Sequence, residues 1–266
     1  MIKRVVILTL CLIIISSCRF RPQVVPYTVY LPVMTSIKST PIWGIGSTYR
    51  GSCLGIWRSG ASWYYNWTMY PESCPGVEPV AMIWDSKTVG IIPDNVRVIL
   101  WFNEPDQPTQ ADMTPQVGAV LWNEHRLAYS AYRNGSPAAG VEWLADWLKL
   151  VDEPPDFLCA HIYESRCDFT EAQRRFKIHL DRYDALAEEY DLPIWLTEYA
   201  WATDSPRLAE WVSWSKEEIA RHPRVERAAW FQVWYEGDES WAIVPNTSLA
   251  DRDGELNKLG LAYRYE

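Results

Sequence analysis

Short apolar runs alternate with longer amphipathic segments along most of this chain, and this alternation is what most restricts its fold. The run at 98–102 is apolar at every position, which is typical of parallel strands buried on both faces. Segments such as 115–132 and 169–190 instead repeat apolar residues at helical spacing. Eight such runs predict a single-domain α/β protein, a (β/α)8 TIM barrel, with a doubly wound open sheet as the alternative. The runs are 43–45, 63–67, 80–84, 98–103, 134–138, 157–163, 194–197 and 228–234.

The N-terminus has the layout of a secretion signal, with Lys3 and Arg4 before an apolar run of about 11 residues. That run is shorter than the roughly 20 residues that a membrane-spanning helix needs. The sequence Ile15-Ser16-Ser17-Cys18 resembles the lipobox of bacterial lipoproteins, which implies that cleavage would leave a lipid on Cys18. We therefore expect an exported protein, either membrane-anchored or secreted. Its parts would be a signal at 1–17, a tether at 18–41 and the barrel at 42–266.

Four cysteines remain beyond the signal and the anchor, and an even number in an exported protein favours disulfides. Proximity in sequence favours Cys53 with Cys74 and Cys159 with Cys167, although three pairings are possible. Neither His nor a further Cys lies at zinc spacing around them, so we expect no metal site.

The charge balance restricts the class of ligand. The chain carries 25 Lys and Arg against 34 Asp and Glu, a net charge of −9 that becomes −11 once Lys3 and Arg4 are removed. Such a chain repels phosphate backbones and acidic lipid surfaces, so nucleic acid is excluded and a membrane contact is expected only through the lipid.

Tryptophan is abundant, with 16 residues, and its positions fall into two groups. Those at helical spacing are predicted to pack against the barrel. Those at strand ends and in the loops that follow are predicted to stack on the faces of a neutral sugar. The first group is Trp143, Trp147, Trp211 and Trp214, and the second is Trp67, Trp84, Trp234, Trp201 and Trp241.

Two glutamates directly follow predicted strands, Glu104 after the fourth and Glu198 after the seventh. In a (β/α)8 barrel the chemistry lies at the carboxyl ends of the strands, so both side chains are expected at one pocket mouth. Either residue alone is explained by helix capping or a salt bridge. Together they supply the paired carboxylates that glycoside cleavage requires.

Motifs around these glutamates carry a family resemblance. Asn103-Glu104-Pro105 and Thr197-Glu198-Tyr199 resemble the clan A retaining glycoside hydrolases. The longer motifs are similar to the glycosyl hydrolase catalytic core family, glycoside hydrolase family 128, whose characterised members cleave β-1,3-glucans. These motifs occupy 62–67, 80–84, 102–107, 111–115, 135–138 and 195–200.

The resemblance implies that Glu104 is the general acid/base, Glu198 the nucleophile, and Asn103 a ligand of the sugar 2-hydroxyl. Where the family usually has His-Trp-Tyr, this chain has His161-Ile162-Tyr163. His161 and Tyr163 would then point into the pocket and either bind sugar or orient Glu198, with core packing as the alternative. The remaining candidates for sugar binding are Tyr65, Trp67, Trp84 and Trp234, with Trp234 as the platform under the scissile sugar.

The resemblance further implies a monomeric endo-β-1,3-glucanase that cleaves laminarin- or curdlan-like glucan by double displacement without a cofactor. Two alternatives remain open from the sequence. One is a glycosidase of the same clan acting on another β-glucan linkage. The other is a lipid-anchored glycan-binding protein without catalytic activity.

Overall fold

A parallel sheet that closes on itself forms the centre of the molecule. The computed structural model describes residues 41–47, 53–165, 168–235 and 247–264. Nine strands pair in parallel in the order β3-β2-β1-β9-β8-β7-β6-β5-β4, and the two outermost, β3 and β4, are joined through Val80. They form one interrupted strand, so the predicted eight-membered barrel is confirmed. The strands are β1 (Ile42–Gly46), β2 (Trp63–Tyr65), β3 (Glu78–Pro79), β4 (Ala81–Ile83), β5 (Val98–Asn103), β6 (Arg133–Ala138), β7 (Phe157–Ser165), β8 (Ile194–Ala202) and β9 (Val225–Trp230).

The helices lie between the strands, and their ends follow from local capping. The longest, α4, begins after Asp168, whose carboxylate accepts the backbone N–H of Glu171 at 2.9 Å, and ends at a left-handed Asp191. Among the described residues, no helix is both long and apolar enough to cross a membrane. The helices are α1 (Leu54–Ser59), α2 (Pro115–His125), α3 (Val141–Leu148), α4 (Phe169–Tyr190), α5 (Leu208–Ile219) and α6 (Lys258–Tyr263), with a 3₁₀ turn at Arg126–Tyr129.

Alternate residues of the strands pack into two separate apolar layers. Along β5, Val98 and Leu100 belong to the cluster inside the barrel, while Ile99 and Trp101 pack against the helices. This alternation is the period of two expected for strands with both faces buried. The helical tryptophans lie in the outer layer as predicted, fully buried at 147 and 211 and partly buried at 143 and 214.

The predicted loop position of Trp201 is wrong. Strand β8 continues to Ala202, and Trp201 is fully buried, with ring centroids 6.1 Å from Trp211 and 5.9 Å from Phe169. It therefore belongs to the layer between sheet and helices and not to a sugar-binding surface. Trp241 lies outside the described residues.

One of the two favoured disulfides is present. Cys53 and Cys74 are bonded, with Cα atoms 5.5 Å apart, which ties the start of α1 to the loop after β2. The second pairing is contradicted, because Cys159 is a free thiol buried inside the barrel. It is the third residue of β7, and the later residues of that strand lead away from it at about 3.3 Å each. Cys167 and Cys18 lie outside the described residues.

Candidate active site

Glu104 lies directly after β5 in an unusual backbone conformation. Its φ is +43°, a value that non-glycine residues seldom adopt and that is common at functional sites. Its N–H donates to the carbonyl of Ala138 at the end of β6, 3.0 Å away. This hydrogen bond to the neighbouring strand fixes the turn that brings the Glu104 carboxylate to the barrel mouth.

Glu198 owes its direction to an irregularity in β8. Leu196 pairs with Ala160 on β7, but the next pair is Glu198 with His161, so that Thr197 is an extra residue. Simple alternation from the interior Trp195 would turn Thr197 inward and Glu198 outward. The bulge reverses this order and directs the Glu198 carboxylate into the barrel mouth.

Three uncharged donors hold the Glu198 carboxylate. Its Oε1 accepts the Tyr65 hydroxyl and the Trp67 indole N–H, each at 2.8 Å, and its Oε2 accepts the Tyr163 hydroxyl. The pKa of Glu198 is raised, because burial and the negative charge of Glu104 outweigh the charge of His161 and the hydrogen bonds from Tyr163 and Trp67. Both oxygens are therefore engaged and the carboxylate has one orientation. Of the two roles predicted for Tyr163, the contacts show the orientation of Glu198.

His161 lies between the two carboxylates. Its Nδ1 is 2.9 Å from Oε1 of Glu104 and its Nε2 is 3.4 Å from Oε1 of Glu198. Burial lowers the pKa of His161, but the negative charges of Glu198 and Glu104 outweigh burial and the pKa is raised. Burial raises the pKa of Glu104, but the hydrogen bond and charge of His161 outweigh it and the pKa is lowered. The two shifts have one cause, since a charge on either side chain favours the opposite charge on the other.

Asn103 is buried beside Glu104 and contacts a residue that the sequence did not indicate. Its Nδ2 donates to Oε1 of Gln110 at 3.0 Å, while its Oδ1 has no hydrogen-bond partner among the described residues. Gln110 returns to this position because the loop after β5 folds back, with Ala111 N–H on the Asn103 carbonyl and Met113 N–H on the Pro105 carbonyl. No spacing or motif in the sequence connects residues 103 and 110.

The predicted aromatic residues lie at different distances from the chemistry. Trp67 binds Glu198 through its N–H and meets Phe231 edge to face, with ring centroids 5.5 Å apart. Trp84 is half-buried against the barrel interior, and its carbonyl accepts the Asn103 N–H at 2.9 Å. Trp234 lines a small cleft that includes Gly55 and Gly254. Stacking on sugar stays a prediction for all three.

The two carboxylates are close together. Glu104, His161 and Glu198 each present an atom such that all three atoms lie within 4.8 Å of one another. A metal ion would fit this spacing, but both Glu198 oxygens already accept hydrogen bonds from neutral donors. We therefore interpret the trio as a proton-transfer group, and the absence of a metal stays a prediction.

Comparison with known proteins agrees with this geometry. The model of the glycosyl hydrolase catalytic core family matches residues 44–263. A crystal structure of a family 128, subgroup II, endo-β-1,3-glucanase from Sorangium cellulosum is 27% identical with a TM-score of 0.72, over 83% of this chain and 96% of that one. A subgroup I endo-β-1,3-glucanase from Amycolatopsis mediterranei, in complex with laminaritriose, is 28% identical with a TM-score of 0.68, over 85% and 99%.

One further relative is matched over only part of its own length. Alkali-sensitive linkage protein 1 of Schizosaccharomyces pombe is 28% identical in an alignment of length 228 that covers 77% of this chain and 40% of that protein. The matched part therefore spans less than half of that relative. The family match extends across the barrel and includes both glutamates. The chain belongs to the glycosyl hydrolase catalytic core family, glycoside hydrolase family 128.

Proposed function

We propose that the protein is a retaining endo-β-1,3-glucanase in which Glu198 is the nucleophile and Glu104 the general acid/base. The observation that carries this proposal is the approach of the two carboxylates to within 4.8 Å around His161. Retaining glycosidases hold their carboxyl groups about 5 to 5.5 Å apart, whereas inverting ones leave about 6.5 to 9.5 Å for a water molecule. A separation this short favours direct attack by a carboxylate.

The surroundings of the two glutamates support the assignment of roles. The Glu198 side chain is 5% exposed and held by three neutral donors, which suits a nucleophile that must be aimed at one carbon. The Glu104 side chain is 23% exposed and is bound by His161. Greater access suits a group that gives a proton to the leaving oxygen and later takes one from water.

The mechanism then has two displacements. Glu198 attacks the anomeric carbon and forms a glycosyl ester, while the glycosidic oxygen leaves with a proton from Glu104. In the second step Glu104 removes a proton from water, which attacks the same carbon and releases Glu198. Because the pKa of Glu104 is lowered in the free site, we assign His161 as the store of the first proton, 2.9 Å from the oxygen that needs it.

The substrate class comes from the relatives. The Sorangium and Amycolatopsis enzymes are endo-β-1,3-glucanases, and the second is in complex with laminaritriose. A neutral glucan also agrees with the net charge of −9, which disfavours an anionic polymer. We therefore propose internal cleavage of β-1,3-glucan by this chain.

The test of linkage and of endo action is analysis of the products formed from laminarin, lichenan and pustulan. The test of retention is proton NMR, which identifies the anomer that is released first. We expect cleavage of laminarin to a series of oligosaccharides, with the β-anomer first. Glu198→Gln should abolish cleavage and Glu104→Gln should slow it by about 10² to 10⁴-fold. Glu142→Gln is the matched control, since its side chain is 79% exposed. Initial release of the α-anomer, or of glucose alone, would contradict retention or endo action, respectively.

We also propose that residues 1–17 direct export and that Cys18 carries a lipid. The Cys53–Cys74 disulfide supports an oxidising location, since such bonds are rare in the cytosol. Incorporation of a labelled fatty acid into the expressed protein, and its loss in Cys18→Ser, is the expected result. Labelling that persists in Cys18→Ser would contradict the assignment.

A further inference from the structure

The hydrogen bond between Gln110 and Asn103 determines which end of the Asn103 amide is left without a partner. Asn103 is 4% exposed and adjoins Glu104, and its Nδ2 is committed to Oε1 of Gln110 at 3.0 Å. Its Oδ1 is buried without a hydrogen-bond partner in the part of the chain that the structure describes. A buried polar atom without a partner is costly, so one next to a catalytic group is expected to await a ligand.

From this geometry we propose that Gln110 is a positioning residue, which fixes the Asn103 amide so that Oδ1 accepts a hydrogen bond from the substrate hydroxyl beside the scissile bond. The proposal rests on the glucanase function proposed above. The opposite orientation of the amide would set two acceptors, Asn103 Oδ1 and Gln110 Oε1, against each other with no proton between them.

This orientation has a chemical consequence. The transition state of glycoside cleavage carries positive charge at the anomeric carbon and its ring oxygen. When the neighbouring 2-hydroxyl donates to Asn103 Oδ1, electron density rises on the hydroxyl oxygen, which lies next to that charge. A donor at the same position would withdraw electron density and oppose the reaction. An acceptor here therefore stabilises the transition state more than the ground state.

The loop explains how Gln110 can act at a distance of seven residues. The Gln110 N–H donates to the Gln107 carbonyl at 3.0 Å, and the Gln107 N–H donates to the Glu104 carbonyl at 2.9 Å. With Ala111 N–H on the Asn103 carbonyl at 3.1 Å, the loop is tied to the backbone of the residue that it supports. The Gln110 side chain is therefore presented to Asn103 by a segment with its own hydrogen bonds.

Two substitutions separate the polarity of the contact from its packing. Gln110→Glu keeps an acceptor for Asn103 Nδ2, whereas Gln110→Leu keeps the volume and removes the acceptor. The substrate is an aryl glycoside of a β-1,3-linked gluco-oligosaccharide. On it we expect Gln110→Leu to lower kcat by about 10- to 100-fold with little change in KM. Gln110→Glu should stay within about threefold of the wild type, and the matching 2-deoxy glycoside should distinguish the variants much less. Equal losses on both glycosides, or a loss in Gln110→Glu as large as in Gln110→Leu, would overturn the proposal.

A second measurement needs no substrate and so separates this proposal from the proposed function. The side-chain amide protons of Asn103, followed by ¹⁵N–¹H NMR, should exchange slowly in the wild type and in Gln110→Glu, and rapidly in Gln110→Leu. Equal exchange in the wild type and Gln110→Leu would refute the contact, even in an active enzyme. If the wild type proves inactive on β-1,3-glucan while exchange behaves as expected, the glucanase assignment fails and the positioning of Asn103 stands.

Discussion

The indole nitrogen of Trp67 lies 2.8 Å from Oε1 of Glu198. Trp67 reaches this position with a φ of +58°, at the start of the loop that follows β2. A donor to a carboxylate favours its ionised form. Trp67 therefore acts on the proposed nucleophile, a role that its position at a strand end did not reveal.

Removal of this N–H should shift the pH dependence of the reaction. Trp67→Phe keeps a ring but no donor, so the pKa of Glu198 should rise and the acidic limb of the kcat/KM profile should move to higher pH. One hydrogen bond to a charged group is worth about 1.5 to 3 kcal/mol, so activity should fall at least about tenfold. Trp214→Phe in the outer layer is the matched control. An unmoved acidic limb in Trp67→Phe would contradict this role.

His161 should make stability depend on pH. Its folded-state pKa is raised, so its stabilising contribution is complete below about 6.5 and is lost as pH rises through the raised value. The lowered pKa of Glu104 acts oppositely, since its contribution is present above about 4.5 and is lost as pH falls. Between pH 5.5 and 9, the gap in unfolding free energy between wild type and His161→Gln should therefore narrow. Urea unfolding at each pH measures this difference in free energy. A difference that widens with pH would disprove the pairing of His161 with the two glutamates.

The Cys53–Cys74 disulfide should contribute to stability through the unfolded state. It closes a loop with a sequence separation of 21, for which chain entropy gives about 3 kcal/mol. Reductant should lower the unfolding free energy of the wild type by about this amount, and the urea midpoint should fall with it. The double variant Cys53→Ala/Cys74→Ala should be less stable and should not respond to reductant. A reductant effect that persists in this variant would point to a different thiol.

Two glycines should respond differently to the same substitution. A Cβ on Gly44 would lie 2.2 Å from the buried Trp63 ring, whose N–H is held by the Ile42 carbonyl at 3.1 Å. Gly44→Ala should therefore cost about 1 to 3 kcal/mol or more. A Cβ on Gly90 would meet Met69 at an ordinary 3.6 Å, so Gly90→Ala should change stability by less than about 0.5 kcal/mol. Equal midpoints in denaturation would show that Trp63 can move aside.

Much of the barrel could be predicted because its strands are apolar on both faces and its helices on one. Strand β5 and helix α4 have the predicted bounds, Val98–Asn103 and Phe169–Tyr190. Glu104 directly follows β5 as predicted, whereas the predicted end of the seventh strand before Glu198 is wrong, because β8 continues to Ala202. The two glutamates still meet, since the carboxyl-terminal parts of parallel barrel strands share one face. These features depend on the spacing of apolar residues and on the order of strands and helices along the chain, and both can be read from the sequence.

The remaining errors arise where the chain departs from regular alternation or where partners come from distant loops. The extra residue at Thr197 changes which side chains of β8 face inward, and the position of Trp201 could not be predicted without it. The contact of Gln110 with Asn103 depends on how one loop folds back. Proximity in sequence favours a partner for Cys159 a few residues later, but an extended strand carries those residues away from it, and the thiol is free.

The interrupted third strand gives the barrel a seam. Strands β3 and β4 contain two and three residues, whereas β7 and β8 contain nine each. Short ladders open at a lower free energy than long ones, so local unfolding should begin at 78–83. Among the strands, amide hydrogen exchange should accordingly be fastest at 78–83 and slowest across β7 and β8. The strands that carry His161 and Glu198 thus keep their pairing while the opposite side of the barrel opens.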